Sequence, residues 1–192
     1  MCHQKTNYNC LPAVGQSFLH WEFGGYNTPS VAAKQGTVAH ESGAITTGMD
    51  TSSSGTNDDK ALAYINSQYA ANGSSWRYVA TNNTVEADFM ARIYNQIGVT
   101  YKPLYVRVDL TNVNYAWHQV SPAQHATAAV AYTNLASTAT IDDPFTHLSG
   151  STCTASWDSG AADTSCNWVD YSTHKYFLSK DVVRNGVQPI WF

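Results

Sequence analysis

The sequence predicts an α+β domain: a helical half over about residues 1–100, then a mostly antiparallel sheet over about residues 101–192. Three observations lead there. Before Lys102, apolar residues recur at intervals of three and four in several short segments, the spacing of one helix face. After Lys102, the pattern changes to runs of β-branched and aromatic residues, the composition of strands. A chain of 192 residues with six Trp and twelve Tyr is most simply one domain, whose core forms without disulfide support.

Leu11, Val14, Phe18 and Trp21 form a helical stripe. Pro12 falls in the first turn, where its missing N–H does no harm, and Gly24-Gly25 ends the helix. Thr28-Pro29-Ser30 opens a second, short helix that stops near Gly36. Residues 37–56, rich in Gly, Ser and Thr, read as a long surface loop suited to substrate contact. Asn57-Asp58-Asp59 caps a helix to about Tyr69, with Leu62, Ile65 and Tyr69 on one face. Asn83-Thr84-Val85-Glu86 has the form of a capping box. It starts a helix with Phe89, Met90, Ile93, Tyr94 and Ile97 inward, ended by Gly98. Strands follow over Pro103 to Leu110, Ala126 to Tyr132, Thr138 to Ile141, Tyr171 to Leu178 and Gln188 to Phe192. The second of these is almost wholly apolar, as in a central strand covered on both faces. The junction between the two halves is the expected place for an active site.

Charged residues make up 12% of the chain, against roughly 25% in an average soluble domain. Ser, Thr, Asn and Gln supply the polar surface instead, which we read as the surface of a secreted protein. A net charge of −4 with ten scattered Lys and Arg argues against nucleic acid as a partner. No apolar run reaches the length of a membrane span, and no signal peptide is visible. The chain starts close to Cys10, so removal of a signal sequence or propeptide is expected. The four cysteines are Cys2, Cys10, Cys153 and Cys166. Cys153 and Cys166 bracket twelve residues rich in Ser, Asp, Gly and Ala and are expected to form a disulfide. By loop entropy it would contribute on the order of 3 kcal/mol. Cys2 and Cys10 then either bond to each other or leave a working thiol.

The chemistry centres on Cys10, which immediately precedes the first helix. A thiol there faces unpaired backbone N–H groups, and with a nearby imidazole its anion is favoured. His125 stands at the head of the apolar strand, and Asp143 follows the next strand. Two antiparallel neighbours joined by a short turn bring these positions to the same end of a sheet. A carboxylate there can hold the imidazole in its working tautomer. Gln4, six residues before Cys10, can donate with the Cys10 backbone N–H to the oxyanion of a tetrahedral intermediate.

Gln4, five residues, Cys10-Leu11-Pro12-Ala13 and a helix, then His125 heading an apolar strand followed by Asp143-Pro144, resemble the papain-like cysteine peptidases of the double-glycine-leader (bacteriocin-processing) superfamily. The closer resemblance is to their secreted bacterial relatives. Gly55-Thr56 before a helix and Tyr176-Phe177-Leu178-Ser179-Lys180-Asp181 extend the resemblance along most of the chain. It implies a papain-like fold with Cys10 as nucleophile, His125 as base, Asp143 as orienting residue and Gln4 as oxyanion donor. It implies a peptide or protein substrate and no cofactor. One position departs from the pattern. The family usually has Gly after the catalytic Cys, whereas this chain has Leu11, whose bulk would narrow the cleft beside the sulfur. Relatives with double-glycine specificity are normally fused to membrane transporters, so leader processing does not follow.

Alternatives remain at each position. A Cys2–Cys10 bridge would silence the thiol, His118 competes with His125, and Asp142 competes with Asp143. Cys2, His3 and Cys10 match no standard zinc spacing. His20, His40, His147 and His174 are isolated in sequence, and the six Trp are read as mostly core. The expected activity is hydrolysis of a peptide or isopeptide bond. Acyl transfer to an amine and a silent binding module on the same scaffold are the alternatives.

Overall fold

The structure is a computed structural model that describes residues 10–23, 49, 56–81, 86–109, 124–133, 138–142, 146–149, 152–155, 174–178 and 190–191. In chain order its elements are α1 (Cys10–Phe23), α2 (Asp58–Ala71), β1 (Ala80–Thr81) and α3 (Glu86–Ile93), which runs into a π-helical segment (Tyr94–Thr100). There follow β2 (Leu104–Asp109), β3 (Gln124–Thr133), β4 (Thr138–Asp142), β5 (Thr146–Ser149), β6 (Thr152–Ala155), β7 (His174–Leu178) and β8 (Ile190–Trp191). The α+β class is as the sequence predicts. The elements divide into two units, Met1–Tyr78 with Pro144–Tyr171, and Val79–Asp143 with Ser172–Phe192. The helix predicted from residue 83 thus belongs with the sheet. The expected short helix from Thr28 and the loop over 37–56 lie outside the described residues, apart from the buried Met49 and the half-buried Thr56. No described helix is long and apolar enough to cross a membrane.

In the first unit, every residue of α1 from Leu11 to His20 is buried. The helix is enclosed around its whole circumference rather than along one stripe, which is the behaviour of a helix with few charged positions. Trp21, placed by its spacing on the inner stripe, is instead 44% exposed, because enclosure ends one residue earlier at His20. Ser17 is accommodated by donating from Oγ to the Ala13 carbonyl at 2.8 Å. Gly15 has a packing reason: a Cβ there would overlap Met49 Cε and come within 3.0 Å of Ile65 Cδ1, both fully buried side chains. A Cβ would therefore require the Met49 side chain to move, against the roughly 1 kcal/mol by which Gly disfavours a helix interior.

Asn57 starts α2 as predicted, its Oδ1 accepting from the backbone N–H of Asp59 (3.0 Å) and Lys60 (3.2 Å). Ala61, Tyr64, Ile65 and Tyr69 form its buried face, and Leu62 is half-buried at the margin. The helix closes in a Schellman turn. Gly73, at φ +81°, donates to the Ala70 carbonyl, and Ser74 donates to that of Tyr69. Beyond the turn, Tyr78 enters an aromatic cluster, stacked on Phe18 at 5.2 Å and edge-on to Tyr69 and Trp76 at 5.5 and 6.0 Å. The Asn66 amide clamps the Tyr78 backbone from both sides: Nδ2 donates to the carbonyl and Oδ1 accepts from the N–H, each at 2.8 Å. Tyr69 donates its hydroxyl to the Phe18 carbonyl at 3.1 Å, tying α2 to α1. Burial pushes the phenols of Tyr69 and Tyr78 upward, so both stay protonated. The antiparallel pair β5–β6 also belongs to this unit and was not expected. Its signal in the sequence is the Gly150-Ser151 dipeptide between two Thr-containing segments, a Gly-X pair of the kind that favours hairpins.

The second unit is built on a six-stranded antiparallel sheet of order β1-β8-β2-β3-β4-β7. Along β3, residues His125 to Ala129 are buried in succession, so both faces are covered, as the apolar run predicts. Thr127 Oγ1 donates to the Val106 carbonyl at 2.9 Å within this buried stretch. The helix does not end at Gly98. It widens to π geometry at Tyr94, which changes the phase of the inward positions. Ile93 is fully buried, but Tyr94, predicted inward, is 47% exposed and lies against the Tyr132 ring at 5.7 Å. Gly98 serves close approach instead of termination, since a Cβ there would stand 2.5 Å from the Tyr132 hydroxyl. The segment stops at Tyr101, which takes a left-handed conformation (φ 57°). The Gln96 carbonyl accepts from the backbone N–H of Tyr101 and Lys102 and from Thr100 Oγ1, while Gln96 Nε2 donates to the Pro103 carbonyl at 3.1 Å. One buried glutamine thereby sets the entry into β2.

The Asn66 clamp is testable. Asn66→Ala strands a backbone donor and acceptor beside a buried ring and should lower the unfolding free energy by about 2–3 kcal/mol. Asn72→Ala, on the exposed end of the same helix, should change it by less than about 0.5 kcal/mol. Denaturant unfolding of both variants decides it.

Candidate active site

Cys10 is the first residue of α1 and is half-buried. The helix behind it is held by the enclosure of Leu11 to His20, so its start is fixed in direction. Partial positive charge gathers at such a terminus from the first unpaired N–H groups and favours an anion. Leu11, which follows Cys10, is 3% exposed and belongs to the core.

His125 is the second residue of β3 and 4% exposed. It stands opposite Val108 of β2, with Gln124 opposite Asp109 in the next position. On its other side β3 pairs with β4, and the last pair toward this end is Ala128 with Asp142. His125 therefore lies beyond the point where β4 stops. The antiparallel arrangement brings the start of β3, the end of β4 and the end of β2 to one end of the sheet. The start of β7 joins them, since His174 stands opposite Asp142. Asp109, Gln124, His125, Asp142 and His174 thus gather at one end, whereas Leu104, Thr133, Thr138 and Leu178 mark the other.

Of the predicted residues, Cys10 belongs to the first unit and His125 to the second. Gln4 and Asp143 lie outside the described residues, as do Cys2, His118 and Cys166. Cys153 is on β6, opposite Leu148. Asp142, the competitor of Asp143, is brought to the same sheet end as His125. His174 was read as isolated because the strand that pairs it with Asp142 comes some thirty residues later, and only the sheet order joins them. Among the described residues, no three His, Cys, Asp or Glu stand together as a metal-binding group. Comparison of the chain with protein-family models, with curated proteins and with solved structures gives no match.

A second imidazole shares α1 with Cys10. His20 is 3% exposed, and burial lowers its pKa below the ordinary 6.5, aided by the positive charge of the chain's amino terminus. The folded protein then holds a neutral ring while the unfolded chain takes up a proton as pH falls through about 6.5. Its contribution to stability is complete above that value and declines below it. His20→Gln should flatten the fall of melting temperature between about pH 7 and 5 relative to the parent protein. Equal slopes would assign the acid sensitivity to other groups.

Proposed function

We propose that this chain is a secreted cysteine peptidase of papain-like architecture, cleaving a peptide or isopeptide bond through an acyl-enzyme on Cys10. The observation that carries the reading is the place of Cys10 at the first residue of an enclosed helix. The gathering of His125 and Asp142 at one end of the sheet supports the imidazole and carboxylate partners.

The register also bears on which aspartate serves. Residues directly opposite share a face of a sheet, and successive residues alternate. Asp142 is in step with Ala128, and His125 belongs to the alternate set. The next residue, Asp143, precedes Pro144, and a residue before proline is biased toward extended backbone. That bias suits a strand-end side chain reaching across to the imidazole and favours Asp143 as the orienting carboxylate.

In this reading the thiolate attacks the scissile carbonyl carbon. Gln4 and the Cys10 backbone N–H donate to the oxyanion, each such donor being worth about 3 kcal/mol of barrier. The imidazolium of His125 protonates the leaving amine, which departs and leaves a thioester on Cys10. His125 then takes a proton from water, the hydroxide adds to the thioester, and the acid leaves with the thiol restored. Asp143 keeps the ring in the tautomer that serves both transfers.

Iodoacetamide alkylation against pH, followed by peptide mapping, tests the nucleophile without a known substrate. Rapid labelling of Cys10 well below pH 8 is expected, with Cys10→Ala abolishing turnover of a fluorogenic peptide library while leaving the melting temperature within a few degrees. Turnover by Cys10→Ala, or an alkylation midpoint at the ordinary thiol value of about 8.5, would overturn the reading.

A further inference from the structure

The chain carries two Asn-Gly dipeptides, Asn72-Gly73 and Asn185-Gly186, and the structure describes the first. Asn-Gly is the sequence most open to attack of a backbone nitrogen on the preceding side-chain amide, because glycine has no Cβ to hinder the approach. Asn72 and Gly73 are both exposed, and nothing stands within 4 Å of the place a Gly73 Cβ would take. Water therefore reaches the pair, and a ring has room to form. The fold nonetheless holds both reacting groups in other contacts. The Gly73 N–H donates to the Ala70 carbonyl at 3.0 Å, and Asn72 Nδ2 donates to the Gln68 carbonyl at 2.9 Å. Ring closure needs the Gly73 nitrogen on the Cβ side of the Asn72 Cα–C bond. The Asn72 ψ of 15° holds it nearly eclipsed with the Asn72 nitrogen instead. A contact across to α1 braces the turn in this form: Ser74 Oγ donates to Glu22 Oε1 at 3.0 Å and accepts from the Trp76 N–H at 3.1 Å.

We propose that Asn72-Gly73 is a self-modification site whose reaction is gated by opening of the turn that ends α2, with Ser74 as the latch. Once the turn opens, the Gly73 nitrogen attacks Asn72 Cγ and gives up its proton to solvent base. The side-chain nitrogen takes a proton and leaves as ammonia, and the product is a cyclic succinimide. Water then adds to either ring carbonyl and breaks its bond to nitrogen, giving aspartate or isoaspartate at position 72. Neither product restores the original turn. A carboxylate cannot donate to the Gln68 carbonyl, and its charge is opposed by the negative end of the helix dipole. Isoaspartate also adds a methylene to the backbone between the Ala70 carbonyl and the Gly73 N–H. The modification thus runs one way, and it loosens the turn that Ser74 ties to α1. This inference stands apart from Cys10 and from the proposed function.

The test incubates the full chain in mildly alkaline buffer, folded and in urea above its unfolding transition. Peptide mapping by mass spectrometry follows aspartate and isoaspartate at position 72, with Asn185-Gly186 of the unfolded chain as the chemical control. The folded parent should react at least about tenfold more slowly than the unfolded chain, tenfold being an opening free energy of about 1.4 kcal/mol. Ser74→Ala should raise the folded rate about three- to tenfold, the factor that loss of one hydrogen bond supplies, and leave the unfolded rate unchanged. Glu22→Ala removes the other side of the same contact, so its effect should not add to that of Ser74→Ala. Below the unfolding transition the rate should stay flat in urea, since opening one turn exposes little surface. A folded rate equal to the unfolded one overturns the proposal. So does a rate that climbs with urea at the slope of global unfolding, or a folded Ser74→Ala that reacts no faster than the parent.

Discussion

Enclosure of α1 is the constraint on which the rest depends. A helix with one buried stripe can rock about its axis at modest cost, because its polar face slides through water. Ten successive residues buried from Leu11 to His20 remove that freedom. Rotation would drive Phe18 off Tyr78 and Gly15 away from the Met49 and Ile65 side chains that close over it. Each such side chain holds roughly 1.5–3 kcal/mol in burial. The price is the accommodation of Gln16, Ser17 and His20 inside the core. The direction of the helix start, and with it the position of Cys10, follows from that packing.

In the second unit the ordering element is β3. It is buried on both faces over His125 to Ala129 and flanked by β2 and β4, so its register fixes those of its neighbours. A shift by one residue would exchange the faces of every side chain along it. The same register sets which polar residues gather at the end of the sheet. The placement of His125 at that end is therefore as well determined as the packing of Ala126, Ala128 and Ala129.

Much of this was legible in the sequence, and the reasons differ by element. The cap of α2 was readable because Asn57 acts on donors two and three residues away. The strands were readable because β-branched and apolar runs have few other uses. Trp21 and Tyr94 were misplaced for a common reason: periodicity assumes a straight α-helix buried on one side. One helix is enclosed all round, and the other changes to π geometry at the residue in question. Gly98 looked like a stop because glycine is usually read for its conformational freedom, whereas here its missing side chain makes room for Tyr132. At the candidate site, Cys10 and His125 stood out through local context, and their roles remain a proposal. The register of Asp142 with His174 was invisible, because it depends on strand order rather than on anything near either residue.

Strand order has a further consequence for how the chain is made. β8 lies between β1 and β2, so residues 190–191 complete the row that residues 80–81 begin. During synthesis, β1 emerges 109 residues before its partner at position 190. At 5–20 residues per second that interval is about 5–20 s. Throughout it, β1 has no neighbour and β2 presents an open edge on the side that β8 will occupy. Unpaired edges of this kind recruit other strands. Vectorial folding thus cannot finish this sheet from its first strand onward, and its closure waits on the synthesis of residues 190–191.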